Sequence, residues 1–141
     1  MDRILYLCPS MKPSPSISIG IAMFIIAVLI LLQYLFIEFS WFNYFPYIGY
    51  LFHLIGGYCT AVIAFHLLVP KTLSLPYLVL LVYLSGAVAL AAIGWEVLEY
   101  VFSPGDKKHL LNQNVYAVLE DQVISMLGGM LYWVRLVYVK K

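Results

Sequence analysis

Four long apolar runs, separated by short breakers, constrain what this chain can fold into. The runs cover residues 17–39, 47–69, 76–102 and 115–139. Pro46, Pro70 and Pro104 stand between them, and proline interrupts a helix. A membrane-spanning helix needs about 20 apolar residues, so each run is long enough to cross a bilayer. Because lipid offers no partners to free backbone groups, and no barrel-like alternation is visible, the sequence predicts an all-α polytopic membrane protein, a bundle of four transmembrane helices in one domain over residues 1–141.

Composition and charge restrict the partners of the chain. Hydrophobic residues make up 64% of the sequence and charged residues 11%, whereas soluble domains are about half apolar and a quarter charged. The formal net charge is +1, and no basic run is longer than the pairs Lys107–Lys108 and Lys140–Lys141. The electrostatic footprint of a nucleic-acid-binding protein is therefore missing. We expect membrane lipid or an amphiphile as the partner and exclude nucleic acid; the oligomeric state is left open.

The distribution of basic residues predicts the orientation in the membrane. Four spans place the two termini and the turn after the second span on one face. That face holds Arg3, Lys12, Lys71, Arg135, Lys140 and Lys141, whereas the other face holds Lys107 and Lys108. Cytoplasmic loops carry an excess of basic residues, so both termini are predicted to be cytoplasmic and the protein to lie in the inner membrane. Trp41, Tyr44 and Tyr47 would then belong to the outer aromatic belt.

At similar distances from a helix end, the apolar runs carry four ionisable side chains, namely His53, Glu96, Glu99 and Asp121. Ionisable groups at membrane depth are costly and usually mark a site. At 1.5 Å per residue, His53 lies roughly 9 Å and Asp121 roughly 10 Å below the outer ends of their spans. Glu96 and Glu99 fall in the last two turns of the third span. We therefore expect all four at one level in the outer leaflet.

Helical spacing predicts which faces of the spans meet. Polar and small residues recur at three- and four-residue steps on three spans: His53, Gly57, Thr60 and Ala64; Ser85, Ala89, Ala92, Glu96 and Glu99; and Asp121, Ser125, Gly128, Tyr132 and Arg135. Small residues allow close helix approach, so Gly57, Ser125 and Gly128 are predicted packing positions beneath the polar site. The bulky faces and most of the first span are left for lipid.

The chemistry of such a site allows three interpretations. One imidazole and three carboxylates suit zinc or manganese, with Glu96 and Glu99 converging on one ion. A metal there could activate water against a lipid-linked ester, as in a membrane hydrolase or transferase. The site could instead bind the headgroup of an amphiphile, or its polar residues could serve a scaffold that holds helices together. No His-Glu-x-x-His motif is present, so whether the protein is an enzyme is left open.

Three segments carry a resemblance to known families. They are residues 52–57 (Phe-His-Leu-Ile-Gly-Gly), 94–99 (Gly-Trp-Glu-Val-Leu-Glu) and 121–129 (Asp-Gln-Val-Ile-Ser-Met-Leu-Gly-Gly). Over about its last two thirds, the chain resembles the YjdF-like and VanZ-like families of small bacterial membrane proteins. The members of these families look like proteins that carry three helices in this order: a His-x-x-Gly-Gly helix, a Trp-Glu-x-x-Glu helix and an Asp-x-x-x-(Asp/Asn)-x-x-Gly helix. In this chain, Ser125 stands where the last motif has its second acid or amide. The resemblance implies a role at the cell envelope, since VanZ-like members are linked to low-level teicoplanin resistance.

Overall fold

The apolar runs of the sequence form long helices. The computed structural model describes residues 19–45, 47–68, 76–102 and 115–138. The helices are α1 (Ile19–Glu38), α2 (Ile48–Leu68), α3 (Tyr77–Phe102) and α4 (Val115–Tyr138), with a 3-10 turn at Trp41–Asn43 between the first two. Each helix lies inside one of the runs defined by the breakers. The predicted all-helical class is confirmed for the described residues.

Three of these helices are long and apolar enough to cross a membrane. They are α1, α2 over Ile48–Leu67 and α3 over Tyr77–Glu99. Helix α4 is not among them, although its 24 residues would extend about 36 Å at 1.5 Å per residue. Its composition is the reason, because Glu120, Asp121 and Arg135 reduce its apolar character.

Helices that follow one another in the chain run in alternating directions. The rings of Phe36 in α1 and Phe52 in α2 lie 5.6 Å apart, next to the turn that joins the two helices. Near the opposite end of the molecule, the Trp133 indole of α4 donates to the Tyr77 carbonyl of α3 at 3.0 Å. The last residues of α1 and α3 therefore lie beside the first residues of α2 and α4. We call this end, which carries the Trp41–Asn43 turn, the upper end.

Helices α2 and α4 make the closest crossing in the described fold. A Cβ atom added at Gly57 would overlap the backbone of Ser125, and one added at Gly128 would overlap the backbone of Leu54. Each glycine thus allows the backbone of the opposite helix to approach. The residues predicted from the small-residue spacing as packing positions, Gly57, Ser125 and Gly128, all lie at this crossing.

The buried line of α3 differs from the small-residue stripe expected on that helix. It consists of Leu80, Leu84, Val88 and Ala92, whereas Ser85 and Ala89 are half-buried beside it. The reason lies in α4, where a Cβ at Gly129 would come within 3.0 Å of Val88. Gly129 of α4 thus leaves room that Val88 of α3 fills.

Helix α1 lies at the periphery of the bundle. Ala22 is its buried residue within the described range, and Ile21, Met23, Phe24 and Leu31 are exposed. It packs mainly on α2, where Leu29 approaches Gly56. These exposed apolar side chains suit contact with lipid, as the sequence predicts for most of the first span.

Most of the basic residues that predict the orientation lie outside the described residues. They are Arg3, Lys12, Lys71, Lys107, Lys108, Lys140 and Lys141. Arg135 is described, and its guanidinium donates to the Tyr58 hydroxyl at 2.9 Å.

Candidate metal centre

Three of the four predicted site residues meet near the upper end of the bundle. His53 of α2, Glu96 of α3 and Asp121 of α4 each offer one ligand atom, and these atoms lie within 4.8 Å of one another. Dividing 4.8 Å by the square root of three shows that a point exists within about 2.8 Å of all three atoms. Zinc binds histidine nitrogen and carboxylate oxygen at roughly 2.0–2.2 Å, so contraction by less than about 1 Å gives metal-ligand distances.

His53 and Asp121 are paired within this cluster. The His53 Nε2 atom lies 3.6 Å from the Asp121 Oδ2 atom, and the two side chains are 13% and 19% exposed. Shielding from water strengthens the attraction of the Asp121 carboxylate for a cation. The pair therefore offers a nitrogen and an oxygen donor in a partly desolvated setting.

Ser125 holds the other nitrogen of the imidazole. Its hydroxyl oxygen lies 3.3 Å from His53 Nδ1, and Ser125 is 3% exposed. With Nε2 as the ligand atom, Nδ1–H donates to this hydroxyl. Metal-binding histidines almost always donate their second N–H to such a partner, which fixes the ring orientation. The serine that replaces an acid or amide of the resembled motif thus has a defined contact.

The close crossing of α2 and α4 explains why His53 and Asp121 meet. Gly57 and Ser125 lie one turn further along their helices than these two residues, and there the backbones touch. Helix α3 runs in the opposite direction, so Glu96 enters the same level from its last two turns. The common level predicted by counting residues from the helix ends corresponds to this arrangement.

Glu99, the fourth predicted site residue, has different partners. Its Oε1 atom accepts hydrogen bonds from the Gln33 amide at 2.6 Å and from the Trp95 indole at 2.7 Å. It is not part of the group of three that converge within 4.8 Å. The structure therefore does not bring Glu96 and Glu99 together on one point, and Glu99 links α3 to α1.

Gln33 is a site residue that the sequence reasoning missed. It is the one amide side chain of the run 17–39. A single polar residue in an apolar segment could have indicated a polar contact inside the bundle. Its bond to Glu99 means that all four helices supply a polar side chain near the upper end. A polar layer thus crosses the bundle at this height.

Glu120 and His66 are further ionisable residues of the runs, and both have partners outside the cluster. Glu120 accepts a hydrogen bond from the Tyr50 hydroxyl at 3.0 Å on an exposed face. The Nδ1–H of His66 donates to the Val62 carbonyl of its own helix at 2.8 Å. The first bond joins α2 to α4 on an exposed face and the second stays within α2, so neither residue supplies a donor to the cluster.

Comparison with models of known protein families, with curated proteins and with solved structures finds no match.

Proposed function

We propose that this protein is a four-span inner-membrane protein that binds a divalent metal ion through His53, Glu96 and Asp121. The observation that carries the proposal is the convergence of three donor atoms, from three different helices, within 4.8 Å. Buried ionisable groups of a membrane protein usually pair with one another or with an ion, because each is costly alone. One imidazole and two carboxylates form a donor set that zinc and manganese accept.

The polar contacts of α4 support its role as a fourth span. Asp121 faces His53, and Arg135 donates to the Tyr58 hydroxyl, so both charged groups have partners on α2. Ionisable residues within membrane helices almost always face the bundle interior. A fourth span puts both termini on one side, which the basic residues predict to be the cytoplasm. The metal site then lies toward the outer leaflet.

Three protein ligands leave a coordination position free. Zinc sites with three protein ligands hold water or substrate in the fourth position, whereas purely structural zinc sites are filled by protein. This favours a site that binds an exchangeable ligand, such as the headgroup of a cell-envelope amphiphile. Hydrolysis or transfer on a lipid-linked substrate is the related catalytic candidate, because a metal can activate bound water.

Metal binding by the purified full-length protein tests the proposal. Zinc and manganese are titrated separately into detergent-solubilised protein by calorimetry, for the wild type and for Glu96→Gln. We expect one ion per chain in the wild type and loss of that binding in Glu96→Gln, because an amide is a poorer metal ligand than a carboxylate. Glu120→Gln is the matched control, since Glu120 contacts Tyr50 on an exposed face.

The same titration separates a metal site from a scaffold. A cluster that only ties helices together binds neither ion in the wild type, and that result contradicts the proposal. Equal loss of binding in Glu96→Gln and Glu120→Gln also contradicts it, because the effect would not be specific to the cluster. Circular dichroism of each variant establishes that the helices are intact.

A further inference from the structure

An apolar cavity of about 560 Å³ adjoins the candidate metal centre. It lies between α1, α2 and α3, and its walls include Ile26, Ile30, Ala91 and Leu98. His53 and Ser125, which belong to the polar cluster, also line it. The cavity is therefore continuous with the cluster, and its volume falls within the roughly 300–1,000 Å³ typical of small-molecule sites.

Small residues of α3 create this space. Gly94 and Ala91 lie on the cavity wall, and a Cβ atom added at Gly94 would meet no other atom within 4 Å. Helices α1 and α3 are bridged near the upper end by the hydrogen bond between Gln33 and Glu99. The two helices thus stand apart, with the bridge above and the apolar cavity below.

The setting of the cavity indicates what fills it. Its walls belong to helices that are long and apolar enough to cross a membrane, so hydrocarbon surrounds them. Water needs two to four polar partners in a cavity, and most of this lining is apolar. A helix from another protein is the other apolar occupant to consider. Such a helix is about 10 Å across and occupies roughly 400 Å³ per turn, so the cavity has room for little more than one turn.

We propose that this cavity binds the hydrocarbon chain of an amphiphile, whose polar headgroup lies against His53 and Ser125. A hydrocarbon chain buries its methylene groups against the apolar walls. The cluster at one end of the cavity offers hydrogen-bond and charge partners to a polar headgroup, which hydrocarbon does not. The position of the headgroup rests on the metal site proposed above. The position of the chain rests on the cavity alone.

The test uses a fatty acid that carries a photoreactive diazirine in the middle of its chain. Full-length protein in detergent is illuminated with this probe, and mass spectrometry locates the labelled residues. In the wild type we expect labels on cavity residues that are shielded from the outside, such as Ile26, Leu29 and Ala92, and competition by unlabelled fatty acid. Labels confined to exposed residues of α1, such as Phe24, would overturn the proposal.

Two leucine substitutions in α3 provide a matched pair. Gly94→Leu places a side chain into the cavity, and we expect it to abolish most of the cavity labelling. Gly86→Leu is the control, because a Cβ there also meets nothing within 4 Å and Gly86 does not line the cavity. Equal cavity labelling in the two variants would overturn the proposal. Ala91→Phe is a second cavity-filling variant in case Gly94→Leu does not fold.

Zinc titration of the same samples distinguishes the two proposals. Zinc binding without cavity labelling overturns the chain site and leaves the metal site standing. Cavity labelling without zinc binding supports the chain site and overturns the metal site. Loss of labelling in Gly94→Leu with zinc binding retained supports both, because the substitution fills the cavity and spares the three ligands.

Discussion

Replacing Gly57 with alanine is expected to force apart the closest crossing among the described helices. The added methyl group would overlap the backbone carbonyl of Ser125, and a backbone cannot rotate away as a side chain can. Ordinary contacts of a Cβ atom begin at 3.4 Å, so α2 and α4 have to separate by on the order of 1 Å at this level. Gly128→Ala makes the reciprocal overlap with Leu54 and should act in the same way.

The cost follows from the packing that is lost when the helices separate. Overpacking a well-packed core typically lowers the free energy of unfolding by about 1–3 kcal/mol. We expect the upper half of this range for both substitutions, because each added methyl group overlaps backbone atoms. The two glycines share one crossing. Once one substitution has separated the helices, the second finds room, so the double variant should cost less than the sum of the single variants.

Unfolding in a titration with sodium dodecyl sulfate, followed by circular dichroism, measures these free energies. Gly86→Ala is the control, since its Cβ enters open space and alanine favours a helix by up to about 1 kcal/mol over glycine. A Gly57→Ala variant as stable as the wild type would refute the reasoning. Strict additivity of the two substitutions would refute the shared crossing. Zinc affinity should fall in parallel, because His53 moves away from Asp121.

Three further variants test individual contacts. Ser125→Ala removes the partner of His53 Nδ1, and zinc titration should show about 10–100-fold weaker binding with unchanged helix content. Gln33→Leu removes one of the donors to Glu99 and should lower the free energy of unfolding by about 1–3 kcal/mol in the detergent assay, while zinc binding persists. Ser40 has a φ of 55°, in the left-handed region, so Ser40→Gly should stabilise the protein by about 0.5–1 kcal/mol, measured as a higher melting temperature; a lower one would contradict this.

The helices were predictable because lipid imposes strong local constraints. Apolar runs long enough to span a bilayer leave few alternatives to a helix, and prolines stand between the runs. The common height of His53, Glu96 and Asp121 was also predictable, because the rise of 1.5 Å per residue converts distance from a helix end into depth. These inferences use one helix at a time and need no knowledge of its neighbours.

Contacts between helices were harder to predict. The buried line of α3 runs through Leu84 and Val88 because Gly129 of α4 leaves room for the valine side chain. The spacing of residues within α3 does not predict that space, because it depends on the sequence of α4. In the same way, the pairing of Gln33 with Glu99 depends on α1 lying beside α3. Helical phase identifies candidates for a shared face, but the neighbouring helices decide which of them meet.

Glu96 and Glu99 illustrate this limit in detail. Three residues along a helix are separated by about 60° around the axis and about 4.5 Å along it, so the sequence allows both carboxylates to share one ion. In the bundle, α3 has α4 on one side and α1 on the other. Glu96 therefore meets Asp121, while Glu99 accepts two N–H donors at 2.6 and 2.7 Å. Moving Glu99 to a metal would leave those donors unpaired, at a cost of about 1–3 kcal/mol each, so the carboxylate is better suited to holding α1 across the cavity than to binding the ion.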